Sequence, residues 1–144
     1  MTKVKAKVLK YMISEKRRAK IKIIINEVPL SKNIYVNMHW AKRKKYKEWI
    51  EELIFYHCDI KGLHAYKKAT INFDIYFETN RKRDIQNYLG GGLISWLDAL
   101  VSLCIIADDS YDVIGQPNIT FNVDKHNPRT EITIQAIDKL EGIA

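Results

Sequence analysis

Ala69-Thr70-Ile71-Asn72-Phe73-Asp74-Ile75-Tyr76-Phe77-Glu78-Thr79 decides the fold, because Ile71, Phe73, Ile75 and Phe77 alternate with Asn72, Asp74, Tyr76 and Glu78. Period-two alternation puts one set on a dry face and the other in water, so this is a half-buried strand. Upstream, an amphipathic helix is expected over about Trp40–His57, with Tyr46, Trp49, Ile50, Leu53 and Ile54 at helical spacing. For Trp49, Ile50, Leu53 and Ile54 core packing is the expectation. Pro29, Ser31 and Asn33 mark a loop before that helix, and Ala19–Ile25 is β-rich. Downstream, Leu93, Trp96, Leu97, Leu100, Val101 and Cys104 recur at helical spacing and predict a second helix near residues 92–104. Ile119, Phe121 and Val123, then Ile132 and Ile134, alternate across a turn at Lys125–Arg129, which reads as an antiparallel pair. The order β-α-β-α-β-β predicts a small α+β domain, a mixed sheet of about four strands with two helices on one face.

At 144 residues the chain has room for a single domain with a real core: a basic extension over 1–18, a core over 19–137 and a tail over 138–144. Its 47% hydrophobic and 28% charged residues are those of an ordinary globular protein rather than a disordered one. No apolar run approaches the roughly 18 residues a membrane span needs, and the first residues lack a signal peptide's apolar stretch. No membrane partner and a cytoplasmic location are expected. Cys58 and Cys104 form no C-x-x-C pair and are expected in the core.

The net charge of +7 is uneven, at +12 over residues 1–50 and −5 over residues 51–144. Lys3, Lys5, Lys7, Lys10, Lys16, Arg17, Arg18, Lys20 and Lys22 precede a second run, Lys42, Arg43, Lys44, Lys45 and Lys47. Such runs are either a solvated face or a surface for a polyanion. The second run sits in the first turns of the expected helix, where the macrodipole disfavours each cation by a few tenths of a kcal/mol. Glu48, Glu51 and Glu52 come later, the reverse of what helix stability prefers, and this order favours the polyanion.

The chain lacks a P-loop, H-E-x-x-H, G-x-S-x-G and G-x-G-x-x-G, and its four histidines are scattered. Gly90-Gly91-Gly92 either lets backbone N–H groups approach a phosphate or is a hinge or close contact that loosens the helix start. The remaining candidates are acids: Asp84 after Arg81-Lys82-Arg83, and Asp108, Asp109 and Asp112 after the second helix. Carboxylates in a basic protein suit a divalent-metal phosphodiesterase, in which bases hold the nucleic acid and acids hold Mg²⁺. The alternative is that Asp84 is a cap and Asp-Asp-Ser is turn chemistry.

Four blocks, taken together and in order, resemble the RusA-type Holliday-junction resolvases, phage- and prophage-associated endonucleases. They are Val28-Pro29-Leu30-Ser31-Lys32-Asn33, Arg83-Asp84-Ile85-Gln86-Asn87, Leu97-Asp98-Ala99-Leu100 and Ala107-Asp108-Asp109. With the strands they span roughly residues 20–137, and Asp98 and Asp108 keep the family's ten-residue interval. The resemblance implies a homodimeric, Mg²⁺-dependent enzyme, with Mn²⁺ as a substitute, that nicks four-way DNA junctions symmetrically in recombination and repair. Asp84 matches the first catalytic aspartate, and Asp108 and Asp109 match the pair that completes the metal site. Two departures stand out. Gln86 occupies the position of a family aspartate, offering an oxygen but no charge, and Tyr88–Trp96 contains no counterpart of a family lysine. Asp112 is the better candidate to replace the lost carboxylate; Asp98 matches a position not taken to be a ligand.

The reading is therefore a junction-selective endodeoxyribonuclease with Asp84, Asp108 and Asp109 as catalytic metal ligands and Gln86 and Asn87 in or around the metal site. Arg81, Lys82 and Arg83 would hold the backbone, with Lys42, Arg43, Lys44, Lys45 and Lys47 on phosphates further out; no small-molecule cofactor is expected. A helix of about 12 residues rises roughly 18 Å, whereas the return from Cys104 to Asp108 spans at most about 14 Å. Asp84 and Asp109 can then share a metal only if residues 85–92 fold back or if two subunits build the site. The rivals are a RusA-like junction-binding protein that has lost the nuclease, and a general RNA- or single-strand-binding module.

Overall fold

The computed structural model describes residues 19–58 and 65–137, and the expected basic extension and tail lie outside them. Strand β2 (Ala69–Phe77) organises the rest: Ala69, Ile71, Phe73, Ile75 and Phe77 are buried, while Thr70, Asn72, Asp74 and Tyr76 take the opposite face. In chain order the elements are β1 (Lys20–Ile25), α1 (Lys32–Val36), α2 (Trp40–His57), β2, α3 (Gln86–Leu89), α4 (Leu93–Ser102), α5 (Tyr111–Ile114), β3 (Asn118–Val123) and β4 (Arg129–Ala136). The expected α+β class and four-stranded mixed sheet are present. The helices number five among the described residues rather than two, the additional three being short turns at loop ends.

The sheet order is β1-β4-β2-β3. β4 is antiparallel to both β1 and β2, and β3 is parallel to β2. This corrects the expected β3–β4 hairpin, since β2 lies between those two strands and the 124–128 link passes over its end. Two requirements produce this order. The inward face of β2 is apolar along its whole length and is best covered from both edges. β4 also has Thr130, Glu131 and Ile132 buried in succession, which suits a central strand and not an edge. Fully burying a side chain such as Phe73 or Ile75 contributes about 1.5–3 kcal/mol, so the arrangement that buries most of them prevails.

α2 and α4 pack together on the apolar face. Ile50 and Ile54 of α2 are fully buried and Leu53 is half-buried, as expected, but Trp49 remains 43% exposed. Its position falls on the edge of a helix whose apolar stripe is narrow. α4 buries Leu93, Ser95, Trp96, Ala99 and Leu100 and is tied to the preceding segments by two side-chain hydrogen bonds. Trp96 Nε1 donates to the Tyr46 hydroxyl at 2.8 Å, and the Tyr35 and Ser95 hydroxyls lie 2.8 Å apart. α4 stops at Ser102, before the expected 104, because Cys104 is left-handed (φ 59°) and Ile105 N–H bonds back to Leu100 C=O at 3.0 Å. Cys58 is buried and Cys104 only half-buried.

The glycine run makes a close contact rather than an anion cradle. Gly92 N–H donates to Leu30 C=O at 2.7 Å, Gly91 N–H to Tyr88 C=O at 3.1 Å and Gly90 N–H to Gln86 C=O at 3.0 Å, which leaves none of the three for a phosphate. Among the described residues no helix is long and apolar enough to cross a membrane.

Candidate nucleic-acid interface and acidic residues

The chain leaves the end of β2 through Glu78–Asp84, and this segment is held by Arg83. Its guanidinium lies 3.8 Å from the Phe77 ring centroid. Nη1 donates to Thr79 C=O at 2.9 Å and to Arg81 C=O at 3.2 Å, while Nη2 donates to Thr79 Oγ1 at 3.3 Å. A guanidinium stacked and bonded in this way is held in one orientation. Arg81 and Lys82 beside it are exposed.

Asp84 is also exposed, and its Oδ1 accepts the Gln86 N–H at 3.1 Å while its carbonyl accepts the Asn87 N–H at 3.0 Å. This is an Asx turn leading into α3, whose N-cap position itself is Ile85 and carries no side-chain cap. Lys82, Arg83, Asp84, Ile85 and Asn87 line an open hollow of about 550 Å³. On its other side Arg83 closes a larger groove of about 730 Å³, walled by Val28, Pro29, Leu30, Phe77 and Tyr88 among others. Sequence reasoning missed this groove; its signal lay in Val28-Pro29-Leu30, read only as part of a motif.

The same end of the fold receives the start of α2, since Leu30 N–H reaches the Tyr46 hydroxyl (3.4 Å) and α1 packs on α3. His39 caps α2 by accepting the Ala41 N–H at 3.2 Å, and there is no acid in the first turn. Lys42, Lys44 and Lys45 are exposed there. Arg43 is turned inward, with Nε on Met38 C=O at 3.0 Å and its guanidinium 5.6 Å from the Tyr35 ring. Lys47 pairs with the buried Glu51 at 3.5 Å. Lys22, from the first basic run, is also committed, to Glu131 at 2.7 Å.

Asp108 and Asp109 lie elsewhere. Ala107 N–H donates to Tyr66 C=O and Tyr66 N–H to Ile105 C=O, both at 2.9 Å, which places the following aspartates near the beginning of β2. Asp84 follows the end of β2, and nine extended residues span roughly 26–30 Å. α4, ten residues long, rises about 15 Å, and Asp109 lies close enough to act on Asp98 at its middle. Asp112 is exposed in α5, on the Asp108 side. Among the described residues no three or more His, Cys, Asp or Glu side chains gather closely enough to hold a metal ion.

Asp98 on α4, matched by the resemblance to a position not taken to be a ligand, does feel a neighbouring acid. Burial foremost, and Asp109 second, raise its pKa above the ordinary carboxylate value, with Lys47 opposing them. Compared with known proteins, the chain matches no family model and no curated protein.

Proposed function

We propose that the chain is a structure-selective endodeoxyribonuclease that resolves four-way DNA junctions as a homodimer with Mg²⁺ or Mn²⁺, in the cytoplasm of a bacterial or phage-infected cell. The observation that carries the reading is the pair of exposed bases Arg81 and Lys82 beside the exposed Asp84 carboxylate, with Lys42, Lys44 and Lys45 exposed in the first turns of α2. Bases hold phosphates by charge, and a carboxylate beside them is where a hard cation would be wanted. The four-block resemblance to the RusA-type resolvases supports the same reading.

Because Asp84 lies toward one end of β2 and Asp108 and Asp109 toward the other, the proposed site is composite. A two-fold axis across the strand direction would set Asp84 of one protomer against the aspartate pair of its partner, and symmetry would make two such sites. Two equivalent sites suit two equivalent strands of a junction.

A second reading has an observation of its own. The Asp84 carboxylate already shapes a turn and Gln86 carries no charge, as in a protein that keeps the binding surface without the nuclease.

The test is a labelled four-way junction and a matched linear duplex, incubated with protein in Mg²⁺, Mn²⁺ or EDTA, with binding and nicking read together. Paired metal-dependent nicks that vanish in Asp84→Asn support the enzyme, and selective binding without nicks supports the second reading. Equal affinity for linear and branched DNA defeats both. Mixing Asp84→Asn with Asp109→Asn then tests the composite site. Random exchange makes half the dimers mixed with one intact site each, so about a quarter of wild-type nicking returns, and none returns if each site lies in one chain.

A further inference from the structure

We infer that the groove between the 28–31 segment and the end of β2 receives a single unpaired DNA base, held by its face, with the attached phosphate on the Arg81–Arg83 ridge. The inference rests on the DNA-binding reading above and adds what that surface recognises.

The two sides of Arg83 differ in chemistry. On one side Pro29, Leu30, Ile34 and Pro128 make the groove mostly apolar, with Glu78 and Arg81 also in its lining. On the other, Lys82, Asp84 and Asn87 bring charge and polar groups to a smaller hollow that Ile85 also lines. A phosphate finds its partners at Arg81 and Arg83 on the ridge, and a base finds apolar contact along the groove wall. A nucleotide out of its stack matches the pair, with its flat apolar face in the groove and its charge on the ridge between. The groove volume of about 730 Å³ is ample for one base and its sugar.

The floor is rigid. Phe77 and Tyr88, both nearly buried, pack on Phe121 behind them with ring centroids 5.4 to 5.5 Å apart, and the stacked Arg83 covers the Phe77 ring from the ridge side. The far wall is fixed by the Gly92 N–H bond to Leu30 C=O. Glu78, itself exposed, is the single carboxylate in the lining, against Arg81 and Arg83. A fully paired duplex offers edges and phosphates but no free base face, whereas a branch point lets a base leave the stack at low cost. The groove thereby supplies a reason to prefer branched DNA that uniform phosphate contacts do not.

Affinity is measured by fluorescence anisotropy for three DNAs: a four-way junction, the same junction with abasic sugars at the branch-point nucleotides, and a linear duplex. The abasic junction keeps every phosphate, so wild-type protein should bind it about tenfold more weakly than the intact one. Ile34→Glu places a charge on the groove wall at a position already 56% exposed, which spares the core. It should weaken intact-junction binding by a similar factor, and its effect should largely disappear on the abasic junction. Simple charge repulsion would instead weaken both junctions equally and would overturn the groove assignment. Intact and abasic junctions binding alike, both above duplex, would overturn the groove while leaving the junction reading in place. No preference for either junction over duplex would remove the junction reading and the groove together.

Discussion

Replacing Gly92 with alanine should destabilise the fold by driving a methyl group into a backbone that has nowhere to go. A Cβ there would sit 2.5 Å from Leu30 N, 2.9 Å from Leu30 O and 3.1 Å from Leu30 Cα. All three are main-chain atoms, so no side chain can rotate aside. The 28–31 segment must move by most of an ångström, and the 2.7 Å bond from Gly92 N–H to Leu30 C=O is lost or stretched. Overpacking costs about 1–3 kcal/mol and the buried hydrogen bond about 1 kcal/mol more, together about 3 kcal/mol. For a domain of this size that lowers Tm by about 10 °C. Gly90→Ala is the control, because its Cβ meets Gln86 O at 3.2 Å and then only a flexible lysine carbon at 3.8 Å. Its cost should stay below about 1 kcal/mol. Gly115→Ala separates crowding from conformation: no atom lies within 4 Å, but φ is +60°. Only backbone strain of about 1–3 kcal/mol is expected there. Thermal and urea unfolding of the three variants would refute the reasoning if Gly92→Ala melted within about 2 °C of wild type, or if Gly90→Ala fell as far.

Tyr46→Phe leaves Trp96 Nε1–H, on a fully buried ring, without its acceptor, and should cost about 1–3 kcal/mol in urea unfolding; an unchanged midpoint would mean the 2.8 Å bond contributes nothing. Asp98→Asn should raise stability at neutral pH. A carboxyl whose folded pKa is raised binds protons more readily in the native state, so stability falls as pH climbs from the ordinary value of 3.8 through the raised one, and the asparagine removes that loss. The advantage should vanish below the ordinary value, and a gain that persisted there would show another cause. Alanine at Lys42, Lys44 and Lys45 together should flatten the salt dependence of DNA binding, the slope of log K on log salt falling by up to about 2.7, whereas Lys47→Ala, already paired with Glu51, should leave it nearly unchanged. Equal effects of the two sets would contradict the division made here between exposed and committed lysines.

Local pattern was a sound guide wherever a segment meets a single large surface. β2 showed its buried face because every second residue packs on one core, and α4 showed its apolar stripe for the same reason. α2 was legible in extent but not in detail, since Trp49 satisfies the spacing and still points partly to water. The glycine run allowed two readings because a glycine needed for a phosphate and one needed for a crossing backbone look alike until the crossing partner, Leu30, is in place. The site was less legible. The Arg81–Asp84 ridge is contiguous in sequence and appears as one feature, whereas the groove joins residues near 30, 80, 88 and 128, which no local window contains.

By itself the sequence determined the element types, the mixed α+β class and the gathering of basic charge, because each follows from periodicity or composition within a short span. Only the tertiary structure decided that β4 enters between β1 and β2, that Gly91 and Gly92 are pressed against Leu30, and that Asp84 follows the end of β2 while Asp108 and Asp109 follow the bridge beside its start. Strand order depends on which edges of an apolar strand remain to be covered after distant segments have packed. The distance between two aspartates depends on the path of everything between them. Both are properties of the whole chain's competition for one buried face, and neither is encoded in any single stretch of it.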